Sequence, residues 1–198
     1  VDPRAQHRLG RENLPGAVAA DQPALERLAD GTDVLWRHGA EDVLLVGIGP
    51  MTQLAVDVAK RLRAQGIGAT VVDPRWVVPV QPSIVKLAAS HRLVITIEDG
   101  IRVGGVGTRV RQGLREAGVD TAVDELGLPD EFIDHATREQ ILEDAGLSAA
   151  KIAQDVVAQV LGTRIPKARH AGETGSRCGV TSAVRRAAWH LVRPACRR

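Results

Sequence analysis

From Asp33 onward, short apolar runs alternate with amphipathic stretches at regular spacing. Residues 33–37 (DVLWR), 42–48 (DVLLVGI), 69–73 (ATVVD), 92–98 (RLVITIE) and 119–126 each read as a strand. Most are continuous apolar runs rather than alternating ones, the pattern of strands covered on both faces. Residues 51–65 carry Leu54, Ala55, Val58, Ala59 and Leu62 at helical spacing and stop at Gly66, a residue suited to a left-handed C-terminal cap. Residues 82–90 predict a short helix, and residues 106–117 a helix closed by Gly118. Two further helices, 137–145 and 148–161, each open on a hydroxyl residue that can accept from orphan amides. Pro74, Pro79 and Pro82 make the stretch after Asp73 an extended loop, because each lacks a donor and restricts the residue before it.

Strands and helices alternating this way predict one α/β domain over residues 33–161. The expected architecture is a single three-layer domain with a five-stranded, mostly parallel sheet. The turn at His38-Gly39-Ala40 is too short for a parallel crossover, so residues 33–37 are expected to form an antiparallel edge strand. Residues 1–32 hold Pro3, Pro15 and Pro23 and no sustained period, and read as a linker or the remnant of an upstream domain. One short helix is expected over residues 23–29, with Pro23 in its first turn. The chain starts on Val1 rather than Met, as expected of a chain that is processed, excised or begun at an unusual start, and this stretch lacks the apolar core expected of a signal peptide.

Charge divides the chain more sharply than hydropathy does. Residues 1–162 carry 17 basic and 23 acidic side chains, a net of −6, whereas residues 163–198 carry nine basic and one acidic, a net of +8. The overall +2 and the pI near 8.8 are therefore an average over two unlike pieces. Residues 162–198 read as a basic, disordered tail or a shifted reading frame, with a weak amphipathic pattern over residues 180–192. The alternative is a basic arm for nucleic acid or an acidic lipid surface. A nucleic-acid surface built on aromatic stacking is not expected from three Trp, one Phe and no Tyr. No apolar run reaches the roughly 20 residues needed to span a bilayer. Two cysteines, Cys178 and Cys196, cannot build a disulfide-rich scaffold.

Three constellations invite a chemical reading. Gly47-Ile48-Gly49 lies between a strand and a helix, where a dinucleotide fold places tight glycines, and Asp73 stands near the position of a ribose-binding acid. Against that, Thr52 replaces the third glycine and Pro50 removes an amide, so a nucleotide-free turn is the simpler reading. Glu98-Asp99-Gly100, followed by Gly104-Gly105-Val106-Gly107, repeats the strand-end, glycine-rich pattern, and paired carboxylates can chelate a metal or move protons. Neighbouring strand residues point to opposite faces, however, and the glycines equally suit close packing of a helix start. Asp130, Glu131, Asp134 and His135 would share a helical face at i, i+4 spacing, either as half a metal site or as a solvated helix start. No P-loop, nucleophile elbow, HExxH or CxxC occurs, and His7, His38, His91, His170 and His190 have no partner recognisable from spacing.

The runs VLLVGIGPMTQLAVDVAKRLRAQGIGATVVDPRWVVPV, LVITIEDGIRVGGVGTRV and LGLPDEFIDHATREQILEDAGLSAAKIA closely resemble the C-terminal, transketolase-like third domain of the 1-deoxy-D-xylulose-5-phosphate synthase family, most of all its versions from high-GC Gram-positive bacteria. The resemblance covers residues 31–161 in order and implies a five-stranded, mostly parallel sheet with one antiparallel strand. It also implies that the complete enzyme is a cytoplasmic transferase condensing pyruvate with glyceraldehyde 3-phosphate, with thiamine diphosphate and Mg²⁺, at the start of methylerythritol phosphate isoprenoid biosynthesis. The family's diphosphate–Mg²⁺ motif, a GDG followed by Asn, belongs to its first domain, and the Glu that activates the aminopyrimidine belongs to its second. No GDG occurs in this sequence. The resemblance therefore assigns no catalytic, cofactor-binding or metal-ligating residue to this chain. His135 matches the histidine of the family's LPxxFxxH-G run, which is not catalytic, and Ala136 replaces the usual Gly. The implied partners are the other synthase domains or a second copy in a homodimer, and an isolated domain is expected to expose apolar surface that those neighbours cover. The rival reading is a stand-alone α/β interaction or nucleotide-binding module anchored by its basic tail.

Overall fold

The structure is a computed structural model and describes residues 24–162. Its centre is β3 (Val43–Gly47), flanked by β4 (Ala69–Asp73) and β5 (Leu93–Ile101), both parallel to it. β6 (Ala122–Leu128) continues the parallel set beyond β5, and β2 (Asp33–His38) pairs antiparallel with the outer side of β4. A two-residue β1 (Glu26–Arg27) closes that edge, giving six strands in the order β1-β2-β4-β3-β5-β6.

The continuous apolar runs are explained by what lies on each side. Along β3, Val43 and Leu45 face one layer and Leu44 and Val46 the other, and all four are fully buried. The first layer contains α1 (Met51–Ala64) and α5 (Ala149–Val160), with Ala55, Val58, Leu62, Ile152 and Val156 packed on Leu45, Val71 and Ile95. The second contains α2 (Pro82–Ser90) and α3 (Val106–Glu116), with Ile84, Ala88, Val110 and Leu114 on Leu44, Val72 and Val94. A short α4 (Arg138–Asp144) precedes α5. Truncating a side chain such as Leu62 or Ile95 to Ala would cost about 2–5 kcal/mol, because both the transfer energy and the packing are lost.

The α1 stop works as expected from Gly66. Its φ of 75° lets the Gly66 amide reach Arg63 O at 3.0 Å and the Ile67 amide reach Leu62 O at 3.0 Å, so the chain turns back into β4. α4 opens with a reciprocal capping box between Thr137 and Gln140, and α5 with Ser148 accepting from the Lys151 amide.

Four sequence expectations change. The expected helix over residues 23–29 is instead β1, in a hairpin in which the Leu25 amide donates to Val34 O and Arg27 lies opposite Asp33; Pro23 falls outside the described residues. Cross-strand pairing of the Arg27 guanidinium with the Asp33 carboxylate outweighs the weak local helical preference. This hairpin adds a sixth strand, so β2 is not outermost. β2 is antiparallel as expected, but β4 is inserted between it and β3. Residues 129–136, read as a helical turn bearing Asp130, Glu131, Asp134 and His135, contain no helix. Finally, β6 begins at Ala122, because the Val119 amide is used to close α3 against Leu114 O.

Candidate functional site at the carboxyl ends of the strands

In an open parallel sheet, ligands bind beyond the carboxyl ends of the strands, where successive connections leave to opposite sides. Here that point lies between β3 and β5. From β3 the chain passes through α1 to β4 on one side, and then through α2 to β5 on the other. The two glycine-bearing turns singled out in the sequence, 47–50 and 98–107, meet at this place: the Ile48 amide donates to Ile97 O at 2.9 Å.

The chain itself fills the first turn. Thr52 is buried, and its hydroxyl bonds Gly49 O at 2.8 Å and Gly47 O at 3.1 Å. A Cβ on Gly47 would lie 2.6 Å from Thr52 Cα, so glycine here admits the helix rather than a ligand. The Met51 and Thr52 amides already donate to Ile48 O and Gly49 O, and Pro50 has none to give. Asp73, the candidate ribose-binding acid, is buried at the end of β4 and accepts the Arg75 amide.

The second turn is closed in the same way by a charge. Glu98 is 6 % exposed. Its Oε2 accepts the Val106 amide at 2.9 Å and its Oε1 the Gly107 amide at 3.0 Å. A carboxylate held by the first amides of a helix lies where the macrodipole favours negative charge and satisfies donors that would otherwise be orphaned. Gly105 must lack a side chain, because its Cβ would fall on the Glu98 carboxylate. Asp99 points away and pairs with Arg138 at the start of α4, Nη2 to Oδ2 at 2.6 Å. Glu98 and Asp99 therefore do not converge on a common ligand.

Around this point two more carboxylates are engaged by cations. Glu125 on β6 meets Arg111 Nε at 3.0 Å and accepts from the Thr108 hydroxyl. Asp33, directly opposite Asp73 in the β2–β4 register, meets Arg27 at 2.7 Å and Arg75 at 3.3 Å. Its hydrogen bond and charge raise the Arg27 pKa above the ordinary guanidinium value. Sequence reading missed these pairs. Asp99 and Arg138 are 39 residues apart, and only tertiary packing brings them together.

Asp130, Glu131, Asp134 and His135 are all exposed on an irregular stretch. Among the described residues, no group of three or more His, Cys, Asp or Glu side chains can hold a metal ion. His38 is exposed, and His91 is buried at the opposite end of the sheet, with Nδ1 2.7 Å from Leu87 O and Nε2 3.0 Å from the Thr70 hydroxyl. Beside it a shallow hollow of about 540 Å³ lies at the amino ends of β5 and β6, lined by residues that include Arg92, Asp120 and Thr121. His7, His170 and His190, both cysteines and the pattern at 180–192 lie outside the described residues.

The described residues do not fit thiamine diphosphate. A diphosphate needs free helix-start amides or a metal-bearing carboxylate cluster. The α3 amides already face Glu98, and the β3–α1 turn is closed by Thr52. What this end of the sheet does offer is apolar surface. Trp76 and Val78 after β4, Ile101 and Val103 at the end of β5, and Phe132 and Ile133 after β6 are all exposed. No helix among the described residues is long and apolar enough to cross a membrane.

Comparison with known proteins agrees with this geometry. Residues 33–152 match the family described as Transketolase, C-terminal domain. The chain is 69% identical over 154 residues to a 1-deoxy-D-xylulose-5-phosphate synthase of Leifsonia xyli, covering 78% of this chain and 24% of that protein. It is 62% identical over 162 residues to the synthase of Clavibacter sepedonicus, covering 82% and 25%. The chain thus spans about a quarter of the length of the curated relatives it matches. Among solved structures, a split-gene transketolase described as an inactive β4 tetramer aligns with a TM-score of 0.63 at 31% identity, covering 76% of this chain and 48% of that one. The chain belongs to the transketolase C-terminal domain family, and its α/β domain matches the version of that domain found in 1-deoxy-D-xylulose-5-phosphate synthases.

Proposed function

We propose that this chain supplies the C-terminal domain of a 1-deoxy-D-xylulose-5-phosphate synthase and acts by assembly rather than by chemistry of its own. The synthase would condense pyruvate with glyceraldehyde 3-phosphate, with loss of CO₂, in the cytoplasm at the start of isoprenoid synthesis. Thiamine diphosphate and Mg²⁺ would be held by residues of the other domains, either joined to this one or supplied alongside it. The observation that carries this reading is the 69% identity to a synthase over 154 residues, 78% of this chain. Two structural features support the division of labour. The turns at the sheet's switch point are closed by Thr52 and Glu98, and apolar side chains stand exposed at the same end. A related split-gene chain, described as an inactive β4 tetramer, is consistent with a domain that needs its complement.

The test is a turnover assay on the 198-residue chain with pyruvate, glyceraldehyde 3-phosphate, thiamine diphosphate and Mg²⁺. No CO₂ release is expected from the chain alone. Activity is expected when residues 31–161 replace the corresponding segment of the Leifsonia xyli synthase. Turnover by the chain alone, or a correctly folded but inactive chimera, would count against the proposal.

A further inference from the structure

Phe132 is the only phenylalanine of the chain, and its side chain is fully exposed, with Ile133 beside it 44% exposed. An aromatic side chain loses the most by remaining in water, so two adjacent apolar residues presented this way mark a contact surface. The segment is irregular, yet both of its ends are fixed. Before it, Leu128 O accepts the Arg102 amide; after it, Thr137 caps α4 and Arg138 is held by Asp99. A knob presented from fixed ends needs little further ordering on binding, which favours affinity. Trp76, Val78, Ile101 and Val103 are exposed after β4 and at the end of β5, on the same end of the sheet.

The charges indicate what covers this surface. Asp130, Glu131 and Asp134 surround Phe132 and Ile133, with no Lys or Arg between Pro129 and Thr137. A second copy meeting this segment across a twofold axis would set each acid against like charge. A cationic partner is favoured instead. Three quarters of each matched synthase lies outside the segment this chain covers, and supplies a partner surface of sufficient size. Building on the function proposed above, we propose that residues 130–134 are a docking knob: Phe132 and Ile133 enter an apolar pocket ringed by Lys and Arg on the thiamine-diphosphate-binding part of the synthase.

The experiment compares Phe132→Asp in two settings, the 198-residue chain and the chimeric synthase carrying residues 31–161. In the chain alone the substitution leaves the melting midpoint within about 1 °C, since the side chain touches only solvent. In the chimera it lowers the midpoint of this domain by about 5 °C, a shift of the size expected for one lost interface anchor. The double substitution D130K/D134K, which puts cations against the proposed ring, destabilises the chimera and not the chain, less so as salt is raised. An unchanged chimera overturns the proposal. So does a concentration-dependent dimer of the 198-residue chain that Phe132→Asp abolishes, because the occupant is then a second copy. The thermal shift can be read in an inactive chimera, so loss of the proposed function and loss of the docking site are separable outcomes.

Discussion

Glu98 and Gly107 lie nine residues apart and meet inside the domain, the carboxylate Oε1 accepting the Gly107 amide at 3.0 Å while its other oxygen takes the Val106 amide. One strand-end acid thus supplies the N-terminal cap that α3 lacks at Gly105, which has no side chain to give. Replacing Glu98 by Ala would leave one buried and one part-buried amide without this partner and remove charge from the positive end of the helix dipole. Each unsatisfied group costs about 1–3 kcal/mol, so a loss of roughly 2–4 kcal/mol is expected in chemical denaturation. Glu98→Gln keeps one acceptor oxygen and sets its Nε2, a donor, against the other backbone amide, so it should fall between Ala and the native residue. An unchanged denaturation midpoint for Glu98→Ala would refute the capping role.

Gly105 gives a steric counterpart to the same contact. Gly105→Ala would push a methyl group into the Glu98 carboxylate, and about 1–3 kcal/mol of destabilisation is expected from the enforced shift. Gly100→Ala is the control, because its Cβ would meet only Glu98 Oε2 at an ordinary 3.8 Å. Thermal melting of the two variants side by side measures the difference; equal midpoints would contradict the packing.

His91 should be held in one tautomer. Leu87 O can only accept, so Nδ1 carries the hydrogen and Nε2 accepts from the Thr70 hydroxyl. For the neutral imidazole, the ¹⁵N shifts of the ring are expected to show the hydrogen on Nδ1. Thr70→Val, which deletes the donor and leaves Nε2 buried, should cost about 1–2 kcal/mol.

Asp30 links the β1–β2 turn to α2 through the Thr32 amide at 3.1 Å and the Ser83 amide at 2.8 Å. Burial works to raise its pKa, but the Ser83 and Thr32 hydrogen bonds together outweigh that and hold it below the ordinary carboxylate value. A carboxylate depressed in the folded state stabilises above its unfolded pKa of about 3.9, and that stabilisation is lost as pH falls through the lower folded value. Asp30→Asn should therefore flatten the acid limb of stability against pH, by less than about 1 kcal/mol because the group is only partly shielded from solvent. Urea titrations between pH 2 and pH 5 provide the measurement, and parallel curves for the two proteins would reject the assignment.

Much of the architecture was legible because its determinants are local. β3 and β4 are runs that only a doubly covered strand tolerates, and the glycine at position 66 and the hydroxyl residues at 137 and 148 terminate helices by contacts within four or five residues. The β1 hairpin was not legible. Residues 24–29 carry no strand pattern of their own, and the hairpin forms through Arg27 on Asp33 and Asp30 on Ser83, the latter 53 residues away. The helical spacing of Asp130, Glu131, Asp134 and His135 misled for the converse reason. Periodicity without an apolar face to bury does not hold a helix.

The candidate chemistry divides along the same line. Sequence alone established the alternating strands and helices, the glycine-bearing strand ends and, through its motifs, the family. It left open whether Gly47-Ile48-Gly49 and Glu98-Asp99 formed a ligand cradle, because glycine-rich turns before helices look alike whether they admit a phosphate or a neighbouring side chain. Tertiary structure decided it: Thr52 occupies the first turn, Glu98 occupies the second, and Phe132 is left outside. The physical reason is that a helix start satisfies its amides with whichever acceptor the fold brings within about 3 Å. Here that acceptor comes from the protein's own adjacent strand.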